Sequence, residues 1–220
     1  MERIGIFGGT FDPVHCGHLA IAKQATKELG LEQMLFIPAP DPPHKQRIMA
    51  TYGQRLAMLE LALTGHSCFS VSLLETELSA PSYTVDTLLE LRKRLTGQFY
   101  FLIGADSLLD LHQWYKLEAL LQLTSFAVIS RPGIDLATMQ QAISHLPGDF
   151  LPYDAEQMRW QRKDGTKFVL LLNQIQEDIS SSAIRAQLRR GETTELLDKR
   201  VMGYIEQEGL YKTISHTKQA

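Results

Sequence analysis

Two short stretches of this sequence hold residue types suited to binding phosphate and stabilising negative charge on it. The first runs Gly8-Gly9-Thr10-Phe11-Asp12-Pro13-Val14-His15-Cys16-Gly17-His18. Paired glycines let a backbone approach a phosphate closely, and a following helix offers free N–H groups and the positive end of its dipole. His15 and His18 share a face if the first helical turn begins there. Two imidazoles beside a helix N-terminus suit charge that develops on phosphate oxygens. A lone His-x-x-His is more often two surface histidines or a zinc pair, and neither a complete Walker A nor a Gly-x-Gly-x-x-Gly pattern is present. The second stretch, Ile179-Ser180-Ser181-Ser182-Ala183-Ile184-Arg185, places three serine hydroxyls ahead of a helical segment. Arg185 then adds a permanent charge whose fork geometry fits phosphate. Alone, this stretch reads as an ordinary serine cap with a surface arginine.

Further groups lie between the two. Pro42-Pro43-His44-Lys45 supplies a cation, or is simply a proline-rich surface turn. Thr84, in Pro81-Ser82-Tyr83-Thr84, opens a helical segment, where a cap is the plain reading. Gly104-Ala105-Asp106-Ser107 carries a carboxylate past the end of an apolar run, again compatible with a cap. Trp114-Tyr115 offers rings that stack on a flat heterocycle if exposed, although core packing is the default for such a pair. Arg131 precedes Pro132-Gly133 and is equally readable as a surface charge.

The elements that must position these groups follow from hydrophobic spacing. Arg3–Gly8, Met34–Ile37, Cys68–Leu73, Phe99–Ile103 and Phe126–Ile129 are short apolar runs bounded by glycine or proline, and read as strands. Between them, 19–29, 52–63, 84–95 and 116–123 carry helical spacing; Gly30 closes the first, and Tyr52, Leu56, Leu59 and Leu63 form one face of the second. Residues 181–190 and 195–207 add two closing helices, and Asp164-Gly165 marks a hairpin between Met158–Lys163 and Lys167–Leu172. Alternation of this kind predicts the α/β class: a Rossmann-like open parallel sheet with helices on both faces, in a single domain. The domain spans 1–211, with an irregular insertion near 133–166 and a polar tail at 212–220. In such sheets ligands bind beyond the carboxyl ends of the strands. That rule singles out the loops 8–18, 38–47 and 104–115.

The whole first string resembles the nucleotidyltransferase signature Gly-Gly-Thr-Phe-Asp-Pro-x-His-x-Gly-His, and a match at every fixed position is hard to reach by chance. The second resembles the Ile-Ser-Ser-Thr-x-Ile-Arg motif of the same superfamily; Ser182 stands where threonine is usual, keeping the hydroxyl. Together with the Pro-Pro-His-Lys, Ser-Tyr-Thr, Gly-x-Asp-Ser and Trp-Tyr elements, residues 3–211 resemble the bacterial nicotinate-mononucleotide adenylyltransferases. The resemblance implies adenylyl transfer from ATP to nicotinate mononucleotide, with Mg²⁺ arriving on ATP and no metal held by the protein alone. It implies ATP contacts at Gly8, Gly9, Thr10, Phe11, His18, Ile103, Gly104, Asp106, Ile179, Ser180, Ser181, Ser182 and Arg185. It places His44, Lys45, Thr84, Asp106, Trp114, Tyr115 and Arg131 around the mononucleotide, and gives the chemistry to His15, His18, Lys45 and Arg185.

Composition bounds the alternatives. The chain has 220 residues, 44% of them hydrophobic and 21% charged, with a formal net charge of −3. A mildly acidic chain does not suit a nucleic-acid coat, whose affinity comes from many phosphate contacts. Cys16 and Cys68 are too few for a disulfide framework. With no apolar run near the roughly 18 residues of a membrane span and no signal-like start, the expected location is cytoplasmic. The rival readings are a pantetheine-phosphate adenylyltransferase, which shares the first histidine motif, and a module that senses a nucleotide without turnover. An aminoacyl-tRNA synthetase is disfavoured by the absence of a Lys-Met-Ser-Lys-Ser-like loop.

Overall fold

The structure, a computed structural model, describes residues 1–41, 48–172 and 179–212. Eight strands form one sheet in the order β3-β2-β1-β4-β5-β8-β7-β6. The strands are β1 (Arg3–Gly9), β2 (Gln33–Pro38), β3 (Phe69–Val71), β4 (Gln98–Gly104), β5 (Ser125–Ile129), β6 (Phe150–Pro152), β7 (Arg159–Arg162) and β8 (Phe168–Leu172). The first five and β8 run parallel, whereas β7 pairs antiparallel with both β6 and β8. The parallel sheet expected from the alternation is present, and the hairpin expected at Asp164-Gly165 is the antiparallel β7–β8 pair, which β6 extends at one edge.

Among the described residues eight α-helices cover the sheet: α1 (Cys16–Leu29), α2 (Tyr52–Leu63), α3 (Thr84–Arg94), α4 (Ala105–Leu109), α5 (Leu117–Leu123), α6 (Leu136–Ser144), α7 (Ser181–Arg189) and α8 (Lys199–Gln207). Side chains alternate across each strand and so feed two separate cores. On one face Ile4, Ile6, Phe99, Phe101 and Ile103 pack under α3, α4, α5 and α6. On the other Phe7, Met34, Phe36, Leu102 and Ile129 pack under α1, α2, α7 and α8. Burial on both faces is why the central strands read as unbroken apolar runs.

Several boundaries move. Helix α1 starts at Cys16, not Leu19, with His15 as its N-cap, and Gly30 ends it at φ 60° as expected. The stretch 133–166, read as irregular, holds α6, β6 and β7. Asp135 caps α6 by accepting the Thr138 N–H at 2.7 Å, and Met139, Ile143 and Leu146 form its buried stripe. The last helix begins at Lys199, where Asp198 caps it, so 195–198 lie outside it. The buried face of α2 is Arg55, Met58, Leu59, Ala62 and Leu63, a rotation away from the expected stripe through Tyr52 and Leu56.

Connections run outward from β1 in both directions, to β2 and β3 on one side and to β4 and β5 on the other. The reversal of strand order falls between β1 and β4, where an open α/β sheet leaves a crevice at its carboxyl edge. Gly8-Gly9 and Ile103-Gly104 end the two strands that flank it.

Candidate active site

The first motif is the turn from β1 into α1. A Cβ on Gly9 would lie 2.9 Å from Phe11 Cζ, so the ring folds back over the strand end only because Gly9 has no side chain. Phe11 itself sits at φ 51° and packs edge-on to His18, centroids 5.1 Å apart. The His15 and His18 rings stack at 3.7 Å and 30°. His18 Nδ1 accepts the His15 backbone N–H at 3.2 Å, so neutral His18 carries its proton on Nε2. The two histidines do share the helix N-terminus, as their spacing predicts.

The second motif docks on the first. Ser180 caps α7, its hydroxyl accepting the Ala183 N–H at 3.2 Å. Ser181 Oγ donates to the Pro13 carbonyl at 3.0 Å, and Arg185 Nη1 donates to the Asp12 carbonyl at 2.6 Å. Arg185 Nη2 also donates to Ser182 Oγ at 3.3 Å. Ile179 Cβ lies 3.4 Å from where a Cβ on Gly17 would stand. Gly8, Gly9, Thr10, Phe11, His15, His18, Ile179, Ser180, Ser181, Ser182 and Arg185 therefore form one region.

The remaining groups assemble around the end of β4. Asp106, in the first turn of α4, pairs with Arg131 beyond β5 at 3.9 Å, both side chains well exposed. A Cβ on Gly104 would fall 2.3 Å from Asp106 Oδ1 and 3.3 Å from Arg131 Nε, which puts all three at one spot. Half-buried Trp114 meets Phe101 edge-on at 6.2 Å, and the same Phe101 ring lies 3.6 Å from a Cβ built on Gly8. One buried ring thus links the tryptophan to the phosphate loop. Trp114 also lines a cavity of about 590 Å³ with His112, Lys116 and Leu117. Exposed Tyr115 lies against Tyr83, centroids 4.4 Å apart, next to Thr84 at the start of α3. His44 and Lys45 lie outside the described residues. Among the described residues no three His, Cys, Asp or Glu converge as a metal cluster.

Four residues that sequence reasoning did not assign hold these pieces in place. Arg55 is 1% exposed; its guanidinium donates to the carbonyls of Thr10 at 2.7 Å, Ala39 at 2.8 Å and Pro40 at 3.2 Å. Burial pulls its pKa down from the ordinary value, and Asp12 partly offsets that. Asp12, 2% exposed, accepts the N–H groups of Met49 and Ala50 at 2.9 and 3.2 Å and the Tyr211 hydroxyl at 2.6 Å. Glu75 receives Thr87 Oγ1 at 3.0 Å and Ser82 Oγ at 3.4 Å, bracketing the Tyr83-Thr84 turn. Burial pushes the Glu75 carboxyl above its ordinary pKa against the pull of those two bonds. With Pro40, Asp41 and Ser82 it lines a second cavity of about 220 Å³. Two left a trace in the sequence: Asp12 as a fixed position of the first motif, and Arg55 as a charge in register with Leu59 and Ala62.

A family profile described as cytidylyltransferase-like matches residues 6–187. The chain is 38% identical to the probable nicotinate-nucleotide adenylyltransferase of Bacillus cereus (strain G9842), over 97% of this chain and 100% of that relative. It is 39% identical to that of Gloeobacter violaceus over 96% of each. The chain belongs to the nicotinate-nucleotide adenylyltransferase family. The fold is that of Plasmodium falciparum nicotinic acid mononucleotide adenylyltransferase complexed with NaAD: TM-score 0.72 at 19% identity, covering 96% of this chain and 98% of that one. The same enzyme complexed with APC superposes at a TM-score of 0.69 over the same shares. The region 136–162 holds α6 and the strands β6 and β7, which continue the same sheet and core. No helix among the described residues is long and apolar enough to cross a membrane.

Proposed function

We propose that this protein transfers the adenylyl group of ATP to nicotinate mononucleotide, releasing pyrophosphate and forming nicotinate adenine dinucleotide. The observation that carries this reading is the docking of the second phosphate motif onto the first, through Arg185 and Ser181 on the Asp12-Pro13 backbone. In the reaction an oxygen of the mononucleotide 5′-phosphate bonds to the α-phosphorus of ATP, and the bond from that phosphorus to the α,β-bridging oxygen breaks. Both reactants are ionised near neutral pH, so no protein nucleophile or general base is required. Catalysis then rests on alignment and on charge stabilisation of the transition state.

In this reading Gly8, Gly9, Thr10, Phe11, the 180–182 serines and Arg185 bind the ATP phosphates. His18 supplies a neutral Nε2–H donor, His15 lies beside the α-phosphate, and Ile103, Gly104 and Asp106 border the adenosine. Lys45 and His44, which lie outside the described residues, are assigned to the mononucleotide phosphate on the family resemblance alone. Thr84, Trp114, Tyr115 and Arg131 receive the nicotinate, with Trp114 stacking on the pyridine ring. Mg²⁺ would enter with ATP and would supply charge neutralisation on its phosphates. The Asp106–Arg131 pair and the Phe101-backed tryptophan support a ring-and-ribose pocket beside the phosphate loop.

The test is pyrophosphate release from ATP and Mg²⁺ with nicotinate mononucleotide, its amide counterpart, or 4′-phosphopantetheine as acceptor. Release with nicotinate mononucleotide in preference to the others is expected. Preference for phosphopantetheine would move the protein to another adenylyltransferase specificity. Nucleotide binding with no release from any acceptor would make it a sensor.

A further inference from the structure

Asp12 is a buried carboxylate between two guanidiniums, yet neither takes it as its hydrogen-bond partner. Arg55 spends its donors on the carbonyls of Thr10, Ala39 and Pro40. Arg185 places Nη1 on the Asp12 backbone carbonyl at 2.6 Å and stays 3.7 Å from Oδ2. The carboxylate oxygens are filled by other donors: Met49 N on Oδ2, and Ala50 N with the Tyr211 hydroxyl on Oδ1. Tyr211 comes from the far end of the chain, after α8. It is 4% exposed, and its backbone is held at φ 62°, a conformation that a non-glycine residue keeps only where packing and bonding over-determine it. Its ring packs with the core that holds Met58 and Ile205. Burial and the neighbouring carboxylate both push the phenol pKa up, so it remains a donor.

We propose that Tyr211 is a positioning residue for Arg185 in nucleotide binding: by occupying Asp12 Oδ1, its hydroxyl keeps the carboxylate from drawing the guanidinium inward. The Arg185 charge then stays directed to a polyphosphate. Arg185 Nε is buried with no partner among the described residues. Without the hydroxyl, the carboxylate lacks one donor, and among the described residues the cation paired with it is Arg185, 3.7 Å away. An arginine drawn into a closed ion pair binds phosphate less well. This rests on the adenylyltransferase reading, in which Arg185 binds ATP.

Tyr211→Phe keeps the ring and removes only the hydroxyl. Binding of ATP with Mg²⁺ is measured by calorimetry, together with the KM for each substrate. ATP affinity is expected to fall roughly tenfold, the scale of one hydrogen bond involving a charged group. The KM for the mononucleotide should stay within about twofold. Ile205→Val, which trims the same core without touching Asp12, should lower the Tm and leave ATP affinity unchanged. Reading the ATP-induced rise in Tm of each variant against its own ligand-free value separates binding from lost stability. Wild-type ATP affinity in Tyr211→Phe, or equal loss for both substrates, overturns the proposal and leaves the adenylyltransferase reading standing. A wild-type protein that binds no ATP overturns both.

Discussion

Replacing Arg55 by methionine tests whether one buried cation holds the ends of β1 and β2 together. The guanidinium makes three hydrogen bonds, to Thr10, Ala39 and Pro40, at 2.7, 2.8 and 3.2 Å. Ala39 N in turn donates to the Gly9 carbonyl at 2.9 Å, so the arginine closes a ring between the phosphate loop and the loop leading to Lys45. Each hydrogen bond to a charged group is worth roughly 1.5–3 kcal/mol, which for three gives about 4.5–9 kcal/mol. Against this stands the relief of no longer burying a charge, several kcal/mol per ion. Methionine fills much of the space and adds apolar contact with the α2 core. The net loss is about 3 kcal/mol, and at roughly 2–4 °C per kcal/mol for a chain of this size the Tm should fall by about 6–12 °C. Differential scanning calorimetry at neutral pH, with urea unfolding as a cross-check, measures it. Arg55→Lys should recover little, since one ammonium cannot span three carbonyls held by a planar fork. A Tm within about 2 °C of wild type for Arg55→Met would show that the loop ends are held by something else.

Three further substitutions probe the chemistry and its scaffold. His18→Ala should lower kcat by roughly 100-fold or more, the scale for losing a donor that stabilises developing charge; a steady-state kcat within tenfold of wild type would remove His18 from the reaction. Gly104→Ala should leave the Tm within about 2 °C, because the side chain it displaces is the exposed Asp106 carboxylate. Its kcat/KM for the mononucleotide should drop about tenfold, and an unchanged value would take the Asp106–Arg131 pair out of the site. For Glu75→Gln the sign follows from a folded-state pKa raised above the ordinary 4.5. The folded form favours the neutral acid, so the wild type loses stability as pH climbs through and above that value. The glutamine variant has no such titration. Its Tm relative to wild type should therefore rise between about pH 4 and pH 7.5, and a flat difference would contradict the burial argument.

The legible parts of the fold were those governed by local rules. Strands β1, β2, β4 and β5 stand out because two-sided burial makes them unbroken apolar runs. The limits of α2 were legible from its spacing, but not its rotation: the expected stripe followed leucines, while the true one runs through Arg55. A charge enters a buried stripe only when tertiary acceptors meet it, and those come from loops at Thr10 and Ala39. In 133–166 the signals for α6 were present in Asp135, Met139 and Ile143, and β7 was legible through the Asp164-Gly165 turn that joins it to β8, whereas the edge strand β6 carries exposed Leu151 and no clean alternation. The two phosphate strings were readable because each is a single turn-plus-helix unit. What joins them was not: the Tyr211 hydroxyl reaches Asp12 across 199 residues, a pairing with no periodicity to betray it.

The formal net charge of −3 describes the surface better than it describes the site. Around the β1–α1 turn the protein gathers two guanidiniums, Arg55 and Arg185, against one buried carboxylate, Asp12. Acidic residues elsewhere, such as Glu77, Glu90 and Glu192, are occupied by surface arginines and screened by solvent. This local excess of positive charge sits at a buried pocket edge, where it acts at close range and is felt least by distant polyanions. Charge that is buried and anchored on backbone carbonyls cannot relax toward whichever anion approaches; it is aimed before the ligand arrives. That arrangement favours one small polyphosphate in one orientation over an extended nucleic acid, which would need many exposed cations along a face. Selectivity for a single nucleotide therefore comes from where the few buried charges are fixed, and an acidic total is compatible with it.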